Sequence, residues 1–148
     1  MRLILNTLQI RPVTENDYRA VYRLYRQLVG TGANALERDF ERIFRGFIAS
    51  QEREAFVATV HQNVIGFVTL YYLDVLHHSG LTASIQELVV TEEFRGRGVG
   101  KALVEFVRGK VAEKHCRGLE VATDLWQSGA KTFYERCGLQ GKTQMVAT

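Results

Sequence analysis

Cysteine, proline, tryptophan and methionine are all scarce in this 148-residue chain, at two, one, one and two copies. The two cysteines, Cys116 and Cys137, are too few for the cross-linked framework of a small secreted domain. They suit a reducing, cytoplasmic setting in which each is a small structural side chain. With only Pro12 and no Ser- or Pro-rich tract, the chain offers neither a linker nor a low-complexity segment. Long apolar runs are missing too: polar residues interrupt Met1 to Thr7 too early for a signal-peptide core, and no window approaches a membrane span. Charge of one sign is also lacking. Nineteen Lys+Arg against sixteen Asp+Glu leave +3, too little by itself for a nucleic-acid protein yet favourable to an anionic ligand. The basic residues are dispersed except near Arg95 to Lys101, so a nucleic-acid module is the weakest function class.

What is present is an ordinary globular composition, 46% hydrophobic and 24% charged, which excludes wholesale disorder and fits one domain over residues 1–148. Leu8 to Val13 alternates and meets Pro12, the pattern of an edge strand. Thr14 is a candidate N-cap with Asp17 at capping-box spacing. Tyr18, Val21, Tyr22, Tyr25, Leu28 and Val29 then follow a helical period. Gly30 to Asn34 break that helix, and Leu36, Phe40, Ile43, Phe44 and Phe47 predict a second. Phe56 to Val60 and Val64 to Tyr72 read as a hairpin, Asp74 to Thr82 as a loop and Ser84 to Val90 as a strand. A helix with Leu103, Phe106, Val107 and Val111 on one face runs toward Gly118, and Leu119 to Thr123 resume a strand. Ser128 to Cys137 form a last helix stopped by Gly138, and Lys142 to Ala147 a closing strand. The order β-α-α-β-β-β-α-β-α-β describes one mixed α/β (α+β) unit whose sheet is parallel around residues 84 to 123.

The turn Arg95-Gly96-Arg97-Gly98-Val99-Gly100 lies between a strand and a helix. Two specified glycines coincide at about one position in two hundred, so Gly98 and Gly100 matter only through this context. The first amides of the helix lack intrahelical acceptors, small residues admit a phosphate, and Arg95, Arg97 and Lys101 add positive potential. A pyrophosphate site follows. A P-loop ending at Gly100-Lys101 needs glycine at 95 and Ser or Thr at 102, where Arg95 and Ala102 stand. A dinucleotide fingerprint from Gly96 needs glycine where Lys101 stands. The remaining rival is a solvated basic turn.

Arg95-x-x-Gly98-x-Gly100 after Glu87-Leu88-Val89-Val90, followed by Ala130-x-x-Phe133-Tyr134-x-x-Cys137-Gly138-Leu139, resembles the GCN5-related N-acetyltransferase superfamily over nearly the whole chain. The resemblance implies a partly parallel twisted sheet splayed at the cofactor site and flanked by about four helices. It implies acetyl-CoA as donor, held at its pyrophosphate by Arg95, Gly96, Arg97, Gly98, Val99, Gly100 and Lys101 and along its pantetheine arm by Leu88, Val89 and Val90. The thioester then enters between the segments ending at Val90 and starting at Leu119.

A primary amine with pKa near 10.4 must lose a proton before attacking a thioester, so a base is needed. Glu87 resembles the family position for that base, directly or through water, with Gln86 on the opposite side of the strand. The bland alternative is an acid that caps or pairs. Tyr134 matches the family tyrosine that protonates the departing thiolate, while Phe133 reads as core. A main-chain amide near Val89 would polarise the acetyl carbonyl. Direct attack in a ternary complex is expected over a cysteine-linked intermediate, because Cys116 and Cys137 lie away from Glu87 in sequence order. Gln127 stands where the family often has the pantetheine-contacting Asn, and Lys131 or Arg136 would meet the 3′-phosphate.

His77-His78 before Ile85 to Val90 also looks like bacterial aminoalkylphosphonate N-acetyltransferases, implying a small amine with an anionic group as partner and His77 and His78 as contacts. Adjacent histidines on an extended segment point apart, so no metal site is assigned. Tyr25 and Gly30 to Asn34 would shape acceptor choice, and polyamines, amino acids or protein amines are the other acceptors. The resemblance further implies a homodimer. A noncatalytic acetyl-CoA-binding regulatory module of the same fold is the alternative to an enzyme, and keeping both Glu87 and Tyr134 speaks against it.

Overall fold

The computed structural model describes residues 6–29, 37–122, 130–139 and 143–145. Strand β1 (Leu8–Pro12) leads through a 3-10 turn to α1 (Tyr18–Val29) and α2 (Glu37–Ala49). Strands β2 (Arg53–Val60), β3 (Asn63–Val75) and β4 (Gly80–Val90) follow, then α3 (Val99–Glu113), β5 (Gly118–Val121), α4 (Ala130–Arg136) and β6 (Thr143–Met145). The six strands lie in one sheet in chain order, all neighbours antiparallel except β4 and β5, which are parallel. The predicted element order and the parallel pairing hold. The expected breaks at Gly30 to Asn34 and Asp124 to Gln127 lie outside the described residues.

The sheet separates two cores. On one face, Val21 and Leu24 of α1 and Phe44 and Phe47 of α2 pack on Val57, Phe67 and Val89. On the other, Leu103, Val104, Val107 and Val111 of α3, with Tyr134 and Leu139, pack on Phe56, Val68, Leu70 and Ile85. Strand alternation explains the division, since neighbours such as Phe56 and Val57 are both fully buried yet belong to opposite cores. Cys116 and Cys137 are buried as free thiols.

Three sequence expectations need correction. Residues 74 to 82 are mostly strand: β3 and β4 stay paired out to Val75↔Gly80, and the reversal takes only Leu76–His78 and the left-handed Ser79. The polar composition there reflects solvent exposure of a long hairpin, not lack of pairing. Helix α3 ends at Glu113, with His115 in the left-handed conformation, and Gly118 opens β5 instead of stopping the helix. Gly138 does stop α4, with φ 84° and its N–H on Glu135 O at 2.9 Å.

The third correction concerns β4. Thr69 pairs with Glu87 and the next residue, Leu70, with Ile85, so Gln86 is an extra residue, a β-bulge. Ala83, Ile85, Leu88 and Val90 therefore share one core, a spacing of three between Ile85 and Leu88 where regular alternation gives two. Gln86 bonds Ser84 Oγ at 2.8 Å and shares the face of Glu87, opposite to the simple alternation expected from sequence.

The entry to α1 is fastened by Asp17, which is buried, receives Arg11 through two bonds of 2.7 and 2.9 Å and accepts the Thr14 N–H at 2.8 Å. Burial pushes the Asp17 carboxyl up, but Arg11 and the Thr14 amide together outweigh it and hold it below the usual range. A depressed native pKa contributes stability above the unfolded value, about 3.9, that is lost as pH falls through the native one. Asp17→Asn is expected to cost about 1–2 kcal/mol at pH 7 by urea unfolding, with the gap from wild type closing as pH falls below about 4.

Candidate active site at the fork between β4 and β5

Strands β4 and β5 pair from Thr82↔Gly118 to Ile85↔Val121, and Ala122 N–H closes the ladder on Ile85 O at 2.8 Å. The next residue of β4 is the bulge. Beyond it, Glu87 to Val90 pair with β3 on one edge, and among the described residues no strand joins the other. Thr91 N–H reaches Ile65 O of β3 at 2.8 Å, so ladder alternation turns the Val89 amide to β3 and the Leu88 and Val90 amides into the fork. Arg95 Nε donates to Val90 O at 2.8 Å, tying the glycine turn to the strand end.

That turn needs glycine where its backbone is left-handed, at Gly96 (φ 75°) and at Gly98 (φ 88°), the N-cap of α3. Gly98 O accepts the Ala102 N–H at 3.0 Å, leaving the amides of Val99, Gly100 and Lys101 in the first turn, which has no intrahelical acceptors. A side chain on Gly100 would meet the Phe133 ring at 3.0 Å, so the helix start stays bare and α4 packs close. Between this turn, the open edge of β4 and α4 lies a cleft of about 1150 Å³. Its lining includes Leu88, Val89, Val90, Arg95, Gly96, Gly98, Gly100 and Lys101, with Phe133, Tyr134 and Arg136 from α4. Three cations, Arg95, Lys101 and Arg136, lining one cleft with the bare amides of a helix start suit a polyanionic ligand.

A second pocket of about 210 Å³ opens on the other face of the sheet between α1, α2 and β3. Glu87 and Tyr25 line both cavities. Thr69 holds Glu87 at two points: its hydroxyl donates to Oε1 at 2.6 Å and accepts the Glu87 N–H at 2.9 Å. Burial pushes the Glu87 carboxyl up and the Thr69 bond opposes it without cancelling it. Such a carboxylate is a better proton acceptor than an exposed one. Tyr134 is 2% exposed, and burial pushes its phenol up, so at neutral pH it holds its proton.

Other residues singled out in the sequence fall elsewhere. The Val99 side chain is buried in the core, and Arg97 lies over the Phe94 ring at 5.5 Å, outside the cleft lining. Lys131 is exposed and outside the lining, which takes Arg136 instead, while Gln127 lies outside the described residues. His77 and His78 sit at the far tip of the β3–β4 hairpin, beyond Val75, about 20 Å along the strand from Thr69 and Glu87. There His78 Nδ1 is 2.7 Å from Thr82 Oγ1, and the histidines border neither cavity. Among the described residues no group of three metal-ligating side chains exists. Sequence reasoning missed Thr69, which only the register reveals, and took Phe133 for core although it also walls the cleft.

Residues 15–139 match the family model described as Acetyltransferase (GNAT) family. The chain is 26% identical to an aminoalkylphosphonate N-acetyltransferase of Salmonella typhimurium over 138 residues, covering 91% of this chain and 86% of that protein. It is 27% identical to a glucosamine 6-phosphate N-acetyltransferase of Arabidopsis thaliana, covering 93% of each. The structure superposes with TM-score 0.80 on an aminoglycoside N-acetyltransferase in complex with CoA, 18% identical, covering 95% of this chain and 93% of that one.

Thr69 is a positioning residue for Glu87. Removing its hydroxyl deletes the one contact that opposes burial, so in Thr69→Val the Glu87 carboxyl is expected to titrate at higher pH than in wild type, measured by carbon-13 NMR of the side chain.

Proposed function

This chain belongs to the acetyltransferase (GNAT) family, and from that premise we propose that it acetylates a primary amine held in the smaller pocket, with Glu87 as base and Tyr134 as acid. It is an N-acetyltransferase whose donor is acetyl-CoA. The observation that carries the residue assignment is the position of Glu87, one carboxylate bordering both the large cleft and the small pocket.

The large cleft fits the donor on three counts: its size, the bare helix start at Gly98 to Lys101, and the cations Arg95, Lys101 and Arg136. The first-turn amides of α3 would hold the diphosphate, and the fork-facing edge of Leu88 and Val90 would pair with the amide-bearing arm as an added strand. Acetyl-CoA supplies an activated acyl carbon and a thiolate leaving group. Glu87 takes the proton that the acceptor ammonium must lose before its nitrogen can bond to that carbon. The Leu88 N–H, rather than that of Val89, faces the fork and would meet charge developing on the carbonyl oxygen. As the C–S bond breaks, the Tyr134 hydroxyl gives its proton to sulfur, the newly bonded nitrogen sheds its second proton, which restores the phenol, and the products are the N-acetylated amine and free CoA, with the proton on Glu87 passing to solvent. Contrary to the expectation that both cysteines lie away from Glu87, Cys137 lines the same cleft, yet no acyl group need rest on it or on Cys116, since both thiols are buried and burial pushes each up, away from thiolate.

Glu87→Gln is expected to lower kcat about a hundredfold at pH 7 in a thiol-release assay, with the deficit narrowing toward pH 10 as free amine becomes abundant; an unchanged pH profile would falsify the base assignment. Because the Glu87 pKa is raised in the fold, the stability this carboxyl contributes is present at acid pH and lost as pH rises through its native value. The same variant should therefore melt higher than wild type at pH 8 and show no such gain at pH 4. For Tyr134→Phe, kcat should fall about tenfold while CoA affinity by calorimetry stays within about twofold; wild-type turnover would leave this tyrosine a packing residue.

A further inference from the structure

The smaller pocket carries its own chemical signature. Its walls are aromatic, with Phe40, Phe44 and Phe47 from α2 facing Tyr25 and Tyr71, and among the described residues its charged lining is Asp39 and Glu87. No lysine, arginine or histidine borders it among the described residues. Arg53 lies behind the wall, over the Phe47 ring at 5.3 Å and hydrogen-bonded to the Tyr71 hydroxyl, without lining the pocket, and Arg95, Lys101 and Arg136 line the large cleft.

Taking Glu87 as the proton acceptor of the proposed reaction, we infer that the acceptor is a small primary amine with an apolar aryl or alkyl body and no anionic group. A phosphate or phosphonate in this pocket would lose water and meet two carboxylates, with no cation in the described lining and with Arg42 and Arg53 already engaged by Asp39 and by Tyr71 and Phe47. An ammonium gains from the same carboxylates and from the aromatic faces. Asp39 sits at the rim, its side chain 51% exposed and held only by Arg42 at 4.0 Å, so it is free to meet a second cationic group. The volume of about 210 Å³ is enough for a phenyl ring or short alkyl chain. In this respect the chain departs from the two curated relatives, whose named acceptors carry a phosphonate and a phosphate.

The test is thiol release by the wild-type protein from acetyl-CoA with phenethylamine, 1,5-diaminopentane, 2-aminoethylphosphonate and glucosamine 6-phosphate. The expected kcat/KM for the first two exceeds that for the last two by about tenfold or more. Equal or reversed preference overturns the inference while leaving the acetyltransferase reading intact; absence of release with all four and with every further amine tried overturns that reading as well. Asp39→Lys should raise KM for 1,5-diaminopentane and lower KM for 2-aminoethylphosphonate, each by about threefold or more, with KM for acetyl-CoA unmoved. Unchanged KM values for both amines would place the acceptor outside this pocket and overturn the inference.

Discussion

The two-point contact between Thr69 and Glu87 is the constraint on which the site depends. One hydroxyl accepts the Glu87 amide and donates to its carboxylate, filling the gap that the bulge at Gln86 leaves in the β3–β4 ladder. A bulge leaves backbone groups unpaired and twists its strand, and both effects are used here. The orphaned amide finds a side-chain acceptor. The strand turns there, and among the described residues its pairing with β5 ends at Ile85↔Val121, where the fork begins.

The bulge also changes which side chains share a face. Without it Glu87 would point into the core occupied by Ile85 and α3; with it Glu87 faces α1 and α2 beside Gln86. The cleft built on the start of α3 and the pocket built under α2 would then have no carboxylate in common. One inserted residue thus joins a cation-lined cleft to an aromatic pocket. The cost is a half-buried carboxylate with a single side-chain hydrogen bond, so that burial keeps its pKa raised.

The cleft and the pocket divide the charge of the molecule between them. Arg95, Lys101 and Arg136 gather where the bare amides of α3 already favour anions, and Asp39 and Glu87 border the aromatic pocket. A net charge of +3 conceals this separation. It explains why whole-chain charge says little about either ligand, since electrostatics at a site depend on groups within a few ångströms.

From sequence alone, periodicity located the helices and strands, because each depends on a repeat of two or 3.6 that the chain carries locally. The Gly98 and Gly100 turn was legible for the same reason: left-handed backbone and a bare helix start are properties of adjacent residues. Glu87 and Tyr134 came from resemblance, and both border the cleft. Tertiary structure alone decided what depends on register and distance. It turned Gln86 to the face of Glu87, supplied Thr69 from a neighbouring strand, and carried His77 and His78 to the far end of a hairpin. It also chose Arg136 over Lys131 and brought Tyr25 to the same two cavities as Glu87. The physical reason is that one inserted residue reverses every later side chain on a strand, and nothing in the local sequence of β4 marks where its partner makes room for it.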